Sequence, residues 1–194
     1  RITAQAITSR LDFEKFKQFI PYGIIVKDTA EWLEQHLTGG IYRLDEGRLD
    51  GKISQILHME VGQNYNVLAI KARVEKGVVS YGRSVPTFNN IKGTLEIKGK
   101  DFSLHDMSGN FGTSPMTLEG KIADYALDKP SSYPVKMVIS PSKNELQWLL
   151  GKEHASQLSY NGNSTLSLVG DGFTSDYNLS GDWNLTPAAY SYSD

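Results

Sequence analysis

The sequence predicts a mainly β protein with a few short helices: an extended, curled antiparallel sheet, half-open as a groove or barrel-like, carrying N-terminal helices and one helical insertion. Three observations predict it. From Ile41 onward, apolar residues alternate with period two, which places them on one face of each strand. Between these runs, glycine-containing turn signals fall at hairpin spacing. Finally, one phrase occurs twice, as Ser108-Gly109-Asn110-Phe111-Gly112-Thr113-Ser114-Pro115 and as Ser180-Gly181-Asp182-Trp183-Asn184-Leu185-Thr186-Pro187. The likeness extends upstream, where Ile91 to Gly99 parallels Tyr160 to Gly170, the second copy being longer by a few residues. A repeat of alternating strands points to a modular β-architecture rather than to a single catalytic centre.

Residues 1–40 read as a helical N-terminal element and residues 41–194 as a β-rich repeat domain. Thr8 or Ser9 can cap a first helix bearing Phe13, Phe16, Phe19 and Ile20, ended by Pro21. Pro21-Tyr22-Gly23 links it to a second helix from Thr29 to Leu37. There Asp28-Thr29-Ala30-Glu31 is an acidic capping box, and Gly39-Gly40 supplies the left-handed close. In the β-rich part, Leu68, Ile70, Ala72 and Val74 share a face, as do Leu95 with Ile97 and Phe102 with Leu104. Met116 to Ile122, Val135 to Ile139, Leu166 to Leu168 and Tyr177 to Leu179 continue the pattern. Glu75-Lys76-Gly77, Lys98-Gly99-Lys100-Asp101 and Tyr160-Asn161-Gly162-Asn163 are the turn signals, and Lys129 to Pro134 reads as a loop. Ser142-Lys143-Asn144-Glu145 is a capping box that opens the helical insertion, residues 142–151.

At 194 residues the chain is long enough for a real core. Twenty Lys and Arg against 22 Asp and Glu leave a net charge of -2, too balanced for a nucleic-acid partner. No apolar run is long enough for a transmembrane helix. With no cysteine there are no disulfides, thiolate metal sites or thiol nucleophiles. The chain starts at Arg1, which reads as a piece excised from something longer.

No catalytic or metal constellation emerges, and no cofactor is expected. His36, His58, His105 and His154 lack metal-ligand spacing. Ser80 sits in a hydrolase-like phrase, but Val78 stands where the first glycine is required. Gly170 to Asp176 resembles a calcium-binding glycine repeat once only, and a hairpin explains it better. Two apolar features remain. The Phe13/Phe16/Phe19 helix, with Arg10, Lys15 and Lys17, either covers the end of the sheet or lies on a membrane surface. The dry strand face is either a closed core or an open groove, because alternation shows that a face is dry and not what dries it.

Pro86 to Ile97, continuing through Leu104, Ser108-Gly109 and Ser114 to Ile122, resembles the proline-, glycine- and leucine-spaced phrase of AsmA-like bacterial envelope proteins. Thr29 to Leu33 with Leu37 to Gly40 is similar to the Trp-Leu…Gly element of the YhdP/TamB-like branch. The resemblance implies a non-enzymatic periplasmic protein whose parent is anchored in the inner membrane. It also implies a curled sheet that holds phospholipid acyl chains, as in bridge-like lipid transfer proteins, and pairs with the parent's remaining repeats. The residues it would place in the groove are Leu95, Ile97, Phe102, Leu104, Phe111, Met116 and Leu118, with Leu166, Leu168, Leu179 and Trp183 in the second copy. About ten strands at about 4.8 Å spacing extend only about 50 Å, enough for a lipid tail but not for a bridge between membranes. Two other readings stay open: a closed β-sandwich that binds a protein partner, and a carbohydrate-active enzyme whose carboxylates meet only in space.

Overall fold

The computed structural model describes residues 1–20, 27–161, 163–173, 175–185 and 189–192. Pro21, the Pro21-Tyr22-Gly23 link, Gly162 and the Thr186-Pro187 end of the second phrase lie outside the described residues, as do the side chains of Asp28 and His154.

In chain order the elements are β1 (Ile2–Ala6), β2 (Leu11–Asp12), α1 (Phe13–Phe16) with a following 3-10 turn (Lys17–Phe19), α2 (Lys27–His36) and β3 (Leu37–Gly51). Next come α3 (Ile53–Ile56), a 3-10 turn (Asn64–Val67), β4 (Leu68–Val79), β5 (Phe88–Lys98), β6 (Asp101–Phe111), β7 (Ser114–Ile122) and β8 (Val135–Ile139). The chain continues through α4 (Lys143–Gln157), β9 (Leu158–Asn161), β10 (Thr165–Phe173), β11 (Asp176–Asn184) and β12 (Ala189–Tyr192). One ten-stranded antiparallel sheet runs in the order β1-β3-β4-β5-β6-β7-β8-β10-β11, with β2 against β3. It is curled and does not close into a barrel, and β9 and β12 form a separate two-stranded sheet.

The period-two runs lie where expected, and the Lys98 to Asp101 signal is the β5–β6 hairpin. Gly99 there has a φ of 62°, a conformation that only glycine adopts without strain. A second expected turn, Glu75-Lys76-Gly77, is a bulge inside β4, with Lys76 at a φ of 53°. Positive φ serves a turn or a bulge equally well. Here β4 pairs with β3 on both sides of Lys76 (Ile41 opposite Glu75, Gly39 opposite Val78), so the strand bends and continues.

The N-terminal region contains more than helices. Ile2–Ala6 forms an edge strand against Gly47–Gly51, a pairing that bridges more than forty residues and leaves no local signal. Thr8 does not cap a helix: its Oγ accepts the Leu44 amide at 2.9 Å, and Asp12 caps α1 by accepting from the Lys15 amide. Gly39 and Gly40 lie inside β3 rather than at a helix end; a β-carbon at Gly40 would come within 2.9 Å of the Gly77 Cα. The close approach of two bulged strands, not a helix cap, is what requires glycine there. α4 spans the expected insertion and extends to Gln157, broken at Gly151 (φ 79°).

Candidate functional site

The strand registers place all eleven groove candidates on one face of the sheet. Leu95 lies opposite Leu104 and Ile97 opposite Phe102; Met116 and Leu118 face Gly109 and Met107; Phe111 aligns with Phe88. β8 carries the row onward, since Met116 and Leu166 both align with Ile139, and Leu118 and Leu168 with Met137. Leu166 then faces Trp183, and Gly170 faces Leu179. Because side chains alternate along a strand, these positions form one apolar stripe across the sheet.

The cover over the stripe changes along it. Above β3 to β7, Phe13 of α1 packs with Tyr42, Val74 and Met107, and Phe16 stacks on Tyr42 at 4.7 Å between ring centroids. Leu95, Leu104 and Leu118 border this cluster. The aromatic helix therefore covers the sheet. Burial pushes the Tyr42 hydroxyl up, and that hydroxyl donates to the Gly39 carbonyl at 3.2 Å. Met59, Val67 and Leu68 form a second cluster at the β3–β4 connection, and Tyr125 and Ala126 a third beside Ile97 and Phe102.

Between these clusters lies a cavity of about 250 Å³. Leu95, Ile97 and Phe102 line it, together with Ile70 and Ala72 of β4, Leu44 and Leu49 of β3, Ala4 and Ala6 of β1, Phe16 and Phe19, Leu33 of α2 and Tyr125. The β4 residues carry the same alternation as the candidates and were legible as a dry face. Tyr125 has no periodic signal at all. Arg48 is the one charged residue bordering the cavity among the described residues.

The far half of the stripe has a different roof. Phe111, Met116 and Ile139 are buried together, with Leu166 and Met137 against them. Trp148 of α4 sets its ring edge-on to Phe111 at 5.2 Å and donates from Nε1 to the Ser84 carbonyl at 2.7 Å. α4 is fastened to the β6–β7 turn by Glu145, only 5% exposed. Its carboxylate accepts from the Thr113 amide at 2.9 Å, the Thr113 hydroxyl at 3.0 Å and the Ser114 hydroxyl at 3.2 Å, and it also contacts the Ser142 hydroxyl. Burial alone would raise this carboxyl; the Thr113 amide and the hydroxyls of Thr113 and Ser114 outweigh it and hold it below its ordinary value. The expected capping box does not form, because the Ser142 amide donates instead to Ser114 Oγ at 2.8 Å. Buried donors on the β6–β7 turn take the carboxylate that a free helix would use on itself.

At the β10–β11 end the roof stops. Leu168 and Trp183 are half-buried and Leu179 is 60% exposed. Tyr177 crosses the sheet over Gly170, where a β-carbon would collide with its ring, and donates to the Tyr133 carbonyl at 3.0 Å.

Chemically the stripe is a run of hydrocarbon side chains. Three histidines with described partners lie away from it in separate contacts: His36 with the Ser80 carbonyl, His58 with Glu60 and His105 with Glu96. Among the described residues no three His, Asp or Glu side chains are grouped to hold a metal ion, and no helix is long and apolar enough to cross a membrane. Comparisons with family models, with curated proteins and with solved structures found no match to this chain.

Proposed function

We propose that this chain is a non-enzymatic segment of an AsmA-like periplasmic protein, whose apolar β-face holds phospholipid acyl chains and contributes to lipid transport and outer-membrane homeostasis. The observation that carries the reading is the continuous apolar face of an open, curled sheet with unfilled space of about 250 Å³ against it. Apolar cavities of this kind stay dry and accept apolar guests. Pairing with the parent's remaining repeats would lengthen the face, since this sheet alone spans only tens of ångströms.

The test is gentle purification followed by solvent extraction and lipid mass spectrometry. Co-purifying phospholipid or fatty acid in stoichiometric amount is the expected result. Repeated absence of lipid, together with failure to take up a fluorescent fatty acid, would sink the reading.

A second reading, a protein-binding envelope module, draws on one observation. β11 ends the sheet, and Leu179, Val169 and Phe173 are exposed there on both faces. It expects no lipid in the same extraction.

A further inference from the structure

The cavity is walled unevenly. The Phe13–Tyr42–Val74–Met107 cluster and the Met59–Val67–Leu68 cluster close it toward the two ends of the strands. On the β1 side the wall is thin: the inward residues are only Ala4 and Ala6, and nearby Phe19 is 54% exposed. On the opposite side stands Tyr125, 3% exposed. Together with Ala126 it meets both layers at once, the pair packing on Ile97, Phe102 and Ile122 of the sheet and on Ile20, Ala30 and Leu33 of the helical cover. Its ring lies 6.0 Å from that of Phe102.

Tyr125 is carried on the β7–β8 connection, and that connection is clamped. The Asp124 amide donates to Asp101 Oδ1 at 2.9 Å and the Ala126 amide to the Lys100 carbonyl at 3.2 Å. Lys100 and Lys129 reach Asp124 at 2.6 and 2.7 Å, and Lys121 reaches Asp101 at 2.8 Å. The ring stands at the end of the apolar row that runs Ile70–Ile97–Phe102–Ile122 across β4 to β7.

We infer that Tyr125 is the stop at the blind end of the cavity and limits it to one linear alkyl chain, entering from the β1 edge. The inference rests on the lipid reading above. Two features select this occupant. The volume lies below the roughly 300–1,000 Å³ of pockets for drug-sized ligands, which excludes a fused-ring lipid or two chains side by side. The lining offers hydrocarbon nearly throughout, since the Arg48 side chain alternates to the opposite face of β3 with Gln5 and Ala69.

The experiment uses the whole chain, stripped of lipid and incubated with an equimolar series of saturated fatty acids from short to long. Retained species are read by native mass spectrometry. Wild type should retain the shorter members, Tyr125→Phe should match it, and Tyr125→Ala should shift the retained distribution to longer chains. Tyr125→Leu should shift it less, and it decides the matter if the alanine variant fails to fold. An unchanged distribution in a folded Tyr125→Ala or Tyr125→Leu protein overturns the stop. A wild-type protein that retains no acid of any length overturns the lipid reading as well, so the two failures are distinguishable. A parallel incubation with phosphatidylglycerol vesicles distinguishes the source, since whole phospholipid in the spectrum identifies a lipid tail and fatty acid alone identifies the free acid.

Discussion

At the first copy of the repeated phrase, Phe111 is 4% exposed and Met107, the residue just before the phrase, 7%; at the second, the aligned Trp183 is half-buried and Leu179 is 60% exposed. The residues are similar and both pairs lie on the apolar face of the same sheet. What differs is the neighbourhood. The first copy is flanked by strands on both sides, its hairpin is bulged at Asn89–Thr94 and Leu104–Met107, and α1 and α4 lie over it. The second has an unbroken register, and its last strand ends the sheet. The segment after the phrase returns as β7 beside β6 in the first copy, whereas in the second β12 pairs with β9 instead. Bulges sharpen local twist, which helps the first copy bend around its cover, and the β10–β11 pair has none. Equal patterns become core or surface according to what lies above them.

The largest expected effects test this contrast directly. Phe111→Ala should cost about 3–5 kcal/mol, as for other buried aromatics, whereas Trp183→Ala should cost only about 1 kcal/mol because its burial is partial; urea unfolding midpoints measure both. Met107→Ala should cost about 2–5 kcal/mol, and its repeat partner Leu179→Ala should stay within about 0.5 kcal/mol. Equal losses at Met107 and Leu179 would mean that the second copy is covered in solution.

The Glu145 fastening is peculiar to the first copy, since Asn184-Leu185 stands where Gly112-Thr113 receives the carboxylate. Glu145→Ala should cost about 2–3 kcal/mol, because it leaves the fully buried Ser114 and the Thr113 amide short of an acceptor. The carboxyl is lowered in the folded protein, so its contribution is complete above its ordinary value of 4.5 and is lost as pH falls below that through the lowered value. The stability gap between wild type and Glu145→Ala should therefore narrow in acid; a gap that is constant with pH would show that the carboxylate charge is not what holds α4. A smaller loss than at Glu145 is expected at the β5–β6 turn, where Gly99→Ala meets nothing within 4 Å and should cost about 1–2 kcal/mol from its left-handed conformation alone.

Much of the sheet was legible in the sequence. Leu68 to Val74, Val135 to Ile139 and the Lys98–Asp101 turn carry their structure in adjacent residues; the groove candidates share one face only because the bulge between Leu104 and Met107 shifts β6, since local alternation alone would set Leu104 and Phe111 on opposite faces. Other features had no local signature. The edge strand Ile2–Ala6 is defined by Gly47–Gly51, Lys76 reads as a turn until β3 is seen to pair on both sides of it, and Glu145 reads as a helix cap until the Thr113 amide is placed beside it. The cavity was half legible: Leu95, Ile97 and Phe102 were candidates, but the opposing Phe16, Leu33 and Tyr125 come from a helix, a second helix and a loop.

The sequence by itself determined where the strands run and which side of them is dry, because alternation is a property of neighbouring residues and holds whatever the rest of the chain does. Only the tertiary structure decided which part of that dry side is core, which is cavity and which is bare. That decision depends on contacts between residues distant in the chain, such as Phe13 on Tyr42, Tyr125 on Phe102 and Trp148 on Phe111. Burial is a property of pairs of surfaces, and a strand carries only one of them.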